Sequence, residues 1–167
     1  MKYHIIKNVL TNQERKKLIK DCQPYLITGE EMSDMLFKEK NIRQTYPGRQ
    51  TREYIHTIPC FQPPIKKILR AISKEFKRSF VLQMSWINWT NGNKKDINWH
   101  NHPYTNYSAV YYIKTFPFFN NGTLFEDGFI KSPQNSVLIF PGRLKHTAPS
   151  SPLRFDRYTM ALDLGNI

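Results

Sequence analysis

What the 167-residue chain lacks narrows its class before any motif is considered. Two cysteines, Cys22 and Cys60, cannot build a disulfide framework and read as reduced thiols. No apolar run approaches the ~18 residues of a membrane-crossing helix. The opening residues Met1 to Lys7 lack the long apolar stretch of a signal peptide. These absences predict a cytoplasmic protein that does not enter a membrane. Internal repeats and low-complexity segments are missing too. Acidic residues are scarce: 13 against 25 Lys and Arg, a formal net charge of +12. The excess is concentrated early, with 17 basic and 8 acidic residues among the first 80 and 8 and 5 in the rest. A field of this sign suits an anionic partner, whether nucleic acid, acidic protein or small carboxylate, although a basic balance also serves solubility alone.

Present instead is material for a core. Apolar residues make up 40% of the chain and aromatics 14%, which excludes disorder throughout, and the length suits one domain. Residues 1–79 predict helical support and a loop region; residues 80–167 predict the core. Thr11-Asn12-Gln13-Glu14 is a capping box, and Leu18, Ile19 and Cys22 continue one helical face. Pro63-Pro64 opens a second helix whose Ile65, Ile68, Leu69, Ile72 and Phe76 recur at helical spacing. Its other face carries Lys66, Lys67, Arg70, Lys74, Lys77 and Arg78. Between the two helices, residues 27–60 are polar and weakly patterned, which predicts a lid or substrate loop with a strand near Tyr54 to Ile58.

From residue 80 the apolar period changes to two. Strands are expected over Phe80–Trp89, Ile97–Pro103, Ser108–Lys114, Thr123–Phe125, Phe129–Lys131, Ser136–Phe140 and Tyr158–Leu164, with turns at residues 90–93, Asp127-Gly128 and Pro141-Gly142. Helices first and short strands afterwards predict an α+β fold, mainly β, in which helices back a sandwich or barrel.

The chemistry-bearing residues fall in this β-half. His100 and His102 are two apart on an expected strand and so share a face. His146 follows the Pro141-Gly142 turn, from which a neighbouring strand can bring it to the same point. Three converging imidazoles bind a divalent transition metal and leave open positions; equally, two surface histidines and one core histidine give the same sequence. Arg157 and Thr159 share a strand face. An Arg inside a β-barrel is costly unless it meets an anion, and its fork pairs bidentately with carboxylates. A metal at one end and an Arg–Thr pair at the other suit a small dicarboxylate, and the Tyr112 phenol on the adjacent strand can share its distal carboxylate. Alternatively, Arg157 sits at the surface, paired with Asp156 or Asp163.

Taken in order, Trp99-His100-Asn101-His102-Pro103, Ser108-Ala109-Val110-Tyr111-Tyr112-Ile113, Gly122-Thr123-Leu124-Phe125, Val137-Leu138-Ile139-Phe140-Pro141 with His146, and Arg157-Tyr158-Thr159 resemble the 2-oxoglutarate- and Fe(II)-dependent oxygenases. The prolyl-hydroxylase-like branch and its small bacterial and phage-type relatives are the nearest match. The resemblance spans roughly residues 80–165 and implies a double-stranded β-helix, or jelly-roll barrel, backed by N-terminal helices. It implies His100 and His146 as metal ligands, and Arg157 on the distal carboxylate of 2-oxoglutarate with help from Tyr112 and Thr159. It further implies that O2 and 2-oxoglutarate are consumed, succinate is formed, and a C–H bond is hydroxylated, for instance on a prolyl or other side chain of a protein or peptide.

One position departs from the family pattern. The usual motif is His-x-Asp or His-x-Glu, and here its carboxylate is replaced by His102. Some phage-type relatives also carry His-x-His. With three neutral imidazoles, Fe(II) and a 2-oxoglutarate dianion sum to zero, whereas a carboxylate ligand would leave −1. His102 either completes a three-histidine site or faces the substrate, and Asp96, Glu126 and Asp127 are the other carboxylates near enough in sequence to substitute. Trp86, Asn88, Trp89 and Trp99 are expected near the site, with Asn88 or Trp89 candidates for the 2-oxoglutarate pocket. Nucleic-acid demethylases of this chemistry carry a second Arg six residues after the first, where this chain has Asp163. Two other classes remain open: a cupin-type metal protein without 2-oxoglutarate, and a basic nucleic-acid-binding β-domain.

Overall fold

A computed structural model describes residues 2–41, 46–92, 98–118, 121–149 and 153–166. Its elements, in chain order, are β1 (His4–Lys7), α1 (Asn12–Cys22), β2 (Ile27–Thr28), α2 (Gly29–Lys40), β3 (Arg49–Gln50), α3 (Gln62–Phe76), β4 (Phe80–Asn91), β5 (Tyr107–Lys114), β6 (Gly122–Phe125), β7 (Gly128–Lys131), β8 (Ser136–Pro141), β9 (His146–Thr147) and β10 (Asp156–Asn166). The strands form a seven-stranded sheet, ordered β1-β8-β5-β10-β4-β3-β2, and a three-stranded sheet, β7-β6-β9. Every pairing is antiparallel. The result is the mainly β, α+β architecture expected from the sequence: a double-stranded β-helix with helices behind its large sheet.

The large sheet is buried on both sides, for different reasons. On the outer side, Ile65, Ile68 and Ile72 of α3 and Leu18 and Cys22 of α1 pack against Ile87, Tyr111, Val137, Ile139, Met160 and Leu162. The α3 residues recur at helical spacing and the strand residues alternate, so two periodicities meet in one apolar layer. The basic residues of α3 are exposed beyond it, on the side away from the small sheet. On the inner side, Tyr112, Leu138 and Phe140 meet Phe125 of the small sheet. This inner cluster is smaller and leaves room for a cavity.

Four sequence expectations change. Residues 27–60 are not an unstructured loop, because α2 runs through them. Its start was written in the sequence: the Thr28 hydroxyl accepts from the Glu31 N–H, and the Glu31 carboxylate accepts from the Thr28 N–H. Only Gly29 and Met32 of α2 are buried, so the apolar stripe that marks most helices is nearly missing. Tyr54 to Ile58 is a 3-10 turn at Ile55–Thr57, not a strand, entered from Tyr54 with φ 71°. Residues 98–103 make a single bridge, His100 to His146, rather than a continuous strand; Ile97, Asp96, the end of the 90–93 turn and Arg43 lie outside the described residues. Finally, β1 adds an edge strand beside β8 where the sequence pattern predicts none.

Candidate metal centre and its cavity

The three histidines come together. His100 and His146 exchange backbone hydrogen bonds across their bridge, 3.1 Å and 2.9 Å. His102 is placed by its N–H, which donates to the Gly142 carbonyl at 2.8 Å. That contact needs glycine: a Cβ at residue 142 would lie 2.3 Å from Thr105 Oγ1 and 2.7 Å from the His102 carbonyl oxygen. The Pro141-Gly142 turn therefore seats His102 as well as leading to His146. One ring nitrogen from each histidine lies within 4.8 Å of the other two.

Hydrogen bonding selects which nitrogen faces the centre. His100 Nδ1 donates to the Asn98 carbonyl at 2.8 Å and His146 Nδ1 to the Leu144 carbonyl at 2.9 Å. A carbonyl can only accept, so each Nδ1 carries the proton and each Nε2 keeps its lone pair. His102 Nδ1 lies 3.0 Å from the Asp163 carboxylate, an ion-pair contact without the geometry of a hydrogen bond. Burial lowers the pKa of His100, and it lowers that of His146 to about 3, with the neighbouring histidines adding to the effect. Both rings are thus neutral at physiological pH, the form that ligates a metal. Phe140 packs edge-on against His146 at 4.7 Å between ring centroids, and Trp86 lies 5.7 Å from His102.

A cavity of about 300 Å³ runs from this centre into the space between the sheets. Its floor is one face of the large sheet: Arg157, Thr159, Ala161 and Asp163 of β10, Met84, Trp86 and Asn88 of β4, and Ser108 and Val110 of β5. These positions alternate along each strand and are matched in register, Thr159 opposite Asn88 and Tyr112, Ala161 opposite Trp86 and Val110. Bulges interrupt β10 pairing within this row, between Tyr158 and Thr159 towards β5, and at its end, between Asp163 and Leu164 towards β4. Such bulges re-aim side chains next to functional sites.

Arg157 is 5% exposed, and its guanidinium lies 5.6 Å from the Tyr112 ring centroid, with Nη2 donating to the Gly122 carbonyl at 3.4 Å. Tyr112 is fully buried and its hydroxyl bonds Thr123 Oγ1 at 2.6 Å. Burial removes the surface position for Arg157; Asp156 accepts from Trp89 Nε1 and Asn91 Nδ2, and Asp163 accepts from Ser108. Tyr46 was not foreseen. Its hydroxyl is buried at the cavity wall with no hydrogen-bond partner among the described residues, and burial raises its pKa against the pull of Arg157. A buried guanidinium beside an unfilled phenol fits a carboxylate at this end of the cavity. No pattern in the sequence marks Tyr46, which lies in the polar stretch before β3, 111 positions from Arg157.

Other expected neighbours sit elsewhere. Asn88 lines the cavity, whereas Trp89 packs with the outer cluster. Trp99 is 46% exposed and lines a shallow groove with Leu124, Glu126 and Lys145. Asp127 accepts from Lys2 and Tyr3, and Glu126 is exposed, so neither belongs to the histidine cluster. Among the described residues the cluster contains no carboxylate.

No protein-family model and no curated protein matches the sequence. Solved structures do match in shape. The chain superposes over 98% of its length, and 82% of the other, on HygX of Streptomyces hygroscopicus, solved with nickel and 2-oxoglutarate bound (TM-score 0.66, 11% identity). This is the fold of the 2-oxoglutarate/Fe(II)-dependent oxygenases. The oxygenase fold recurs in the Trichoplax adhaerens prolyl hydroxylase in complex with a hypoxia-inducible-factor peptide, at TM-score 0.66 and 13% identity over 98% of this chain and 83% of that one. It recurs in the viral collagen prolyl hydroxylase of Paramecium bursaria Chlorella virus-1, at 0.60 and 15% over 100% and 97%. No helix among the described residues is long and apolar enough to cross a membrane.

Proposed function

We propose that this chain is an Fe(II)- and 2-oxoglutarate-dependent oxygenase that uses O2 to hydroxylate a C–H bond, with a prolyl or other side chain of a protein or peptide as the substrate class. The observation that carries this reading is the joint presence, in one cavity, of three imidazoles with converging ring nitrogens and a buried guanidinium. His100, His102 and His146 would hold the metal. Iron, when bound, supplies the redox chemistry that couples decarboxylation of 2-oxoglutarate to oxidation of the substrate. Arg157 grips the distal carboxylate of 2-oxoglutarate, Thr159 and the Tyr46 hydroxyl add hydrogen bonds, and the Tyr112 ring braces the guanidinium from one face. The apolar cluster of Leu138 and Phe140 behind the site keeps the bound diacid from water, which strengthens each of these contacts.

A peptide substrate is favoured by the likeness to a prolyl hydroxylase seen with a peptide. Nucleic acid is the weaker alternative, because the basic face of α3 lies beyond the outer layer, away from the cavity. A cupin-type protein without 2-oxoglutarate has no use for Arg157. The test is succinate release from 2-oxoglutarate over pools of peptides, nucleic acids and free amino acids, with anaerobic Fe(II) plus 2-oxoglutarate giving the visible band of the chelate. Peptide-stimulated succinate release that is lost in Arg157→Ala, with metal retained, supports the reading. Metal binding with neither the band nor succinate would move the protein to the cupin class.

A further inference from the structure

The family's metal motif takes its negative charge from a ligand carboxylate, and His102 stands at that position here. A carboxylate is nevertheless present one step further out. Asp163 is 1% exposed, and a buried carboxylate is costly unless partnered. Its Oδ1 accepts from Ser108 Oγ at 2.9 Å, and its Oδ2 lies 3.0 Å from His102 Nδ1. That second contact is an ion pair and not a hydrogen bond, and Oδ2 has no hydrogen-bond partner among the described residues. Among the described residues, His102 is its one ion-pair partner. The backbone is arranged for the contact: Ser108 and Asp163 are directly opposite in the β5–β10 pairing, and the bulge towards β4 follows Asp163 immediately.

We propose that Asp163 is a positioning residue that orients His102 and returns, from behind the ring, the negative charge that the metal site lacks among its ligands. The proposal rests on the three-histidine reading above. His100 and His146 lean on neutral backbone carbonyls, so His102 is the one ligand of the three backed by a charge. A carboxylate behind a ligating imidazole fixes its tautomer and makes it a stronger donor, and loss of such a partner weakens metal binding roughly ten- to hundredfold. The charge sum for iron, 2-oxoglutarate and the site then returns to −1 with Asp163 counted. The same placement makes His102→Asp a poor repair: the restored ligand carboxylate would share its buried surroundings with Asp163, and like charges at short range oppose each other.

Co(II) binding, read by its visible d–d spectrum and by competition with a chelator, tests this without turnover. The wild-type chain should bind Co(II), and Asp163→Asn, which keeps the side chain's shape, should bind it about ten- to hundredfold more weakly with an altered spectrum and an unchanged far-UV circular dichroism. His102→Asp should bind weakly, and His102→Asp combined with Asp163→Asn should recover affinity relative to His102→Asp alone. Unchanged affinity and spectrum in a folded Asp163→Asn overturns the proposal, as does a His102→Asp that binds as well as the double variant. If Asp163→Asn misfolds, His102→Asp and Ser108→Ala, which loosens Asp163 without removing its charge, are each compared with wild type: weaker binding in both supports the proposal, and undiminished affinity in either overturns it. A wild-type chain that takes up no Co(II), or takes it up equally after His100→Ala, removes the three-histidine reading itself, an outcome distinct from failure at Asp163 alone.

Discussion

Along β10 two faces of one strand do opposite work. Tyr158, Met160, Leu162 and Leu164 enter the apolar layer under α1 and α3, while Arg157, Thr159, Ala161 and Asp163 line the cavity. Both rows are buried, apart from a half-buried Ala161, so burial does not distinguish them. Chemistry does. The outer row has no side-chain charge and gains stability by leaving water; the inner row holds an Arg and an Asp whose desolvation is offset only by partners. A β-strand alternates strictly, so residues devoted to stability and residues devoted to binding can be neighbours in sequence without sharing an environment.

Substitutions on the two faces should therefore separate stability from ligand binding. The largest stability effect is expected on the outer face: Leu162→Ala should cost about 2–5 kcal/mol, read as a fall in the denaturant midpoint, with the metal and 2-oxoglutarate sites of the remaining folded fraction intact. On the inner face, Arg157→Ala should cost on the order of 3 kcal/mol or more of 2-oxoglutarate binding, measured by titration calorimetry on the metal-loaded protein, yet destabilise the fold less than Leu162→Ala. A reversed order of stability losses would break the contrast. Gly142→Ala comes next. Its methyl would collide with Thr105 and the His102 carbonyl, so Co(II) affinity should fall about tenfold while circular dichroism stays that of the intact sheet. The smallest effect is expected for Tyr46→Phe, which removes one hydroxyl: about 1 kcal/mol of 2-oxoglutarate affinity with no change in metal binding. An unaltered affinity there would mean that the phenol only fills space.

The parts of the fold legible beforehand were those with a strong local signature. The capping box at Thr11 and Glu14 and the isoleucine stripe of α3 both appear as expected. The second capping box, Thr28 to Glu31, carries the same signal, but without an apolar stripe behind it the segment predicts a loop and not α2. His100, His102, His146 and Arg157 were legible because spacing and order, not pairing, pointed to them. Tyr46 and the pairing of Asp163 with His102 were not, since contacts spanning 111 and 61 positions leave no periodic trace.

Local sequence determined the elements whose residues repeat clearly every two or every three to four positions, α1, α3, β4, β5, β8 and β10 among them, and the face each of their side chains takes. Tertiary structure decided which faces meet. The bridge of His100 to His146, the close seat of His102 on Gly142, and the carboxylate behind it exist only once distant strands are in register, because hydrogen bonds and charges act over a few ångströms and sequence distance carries no information about that separation.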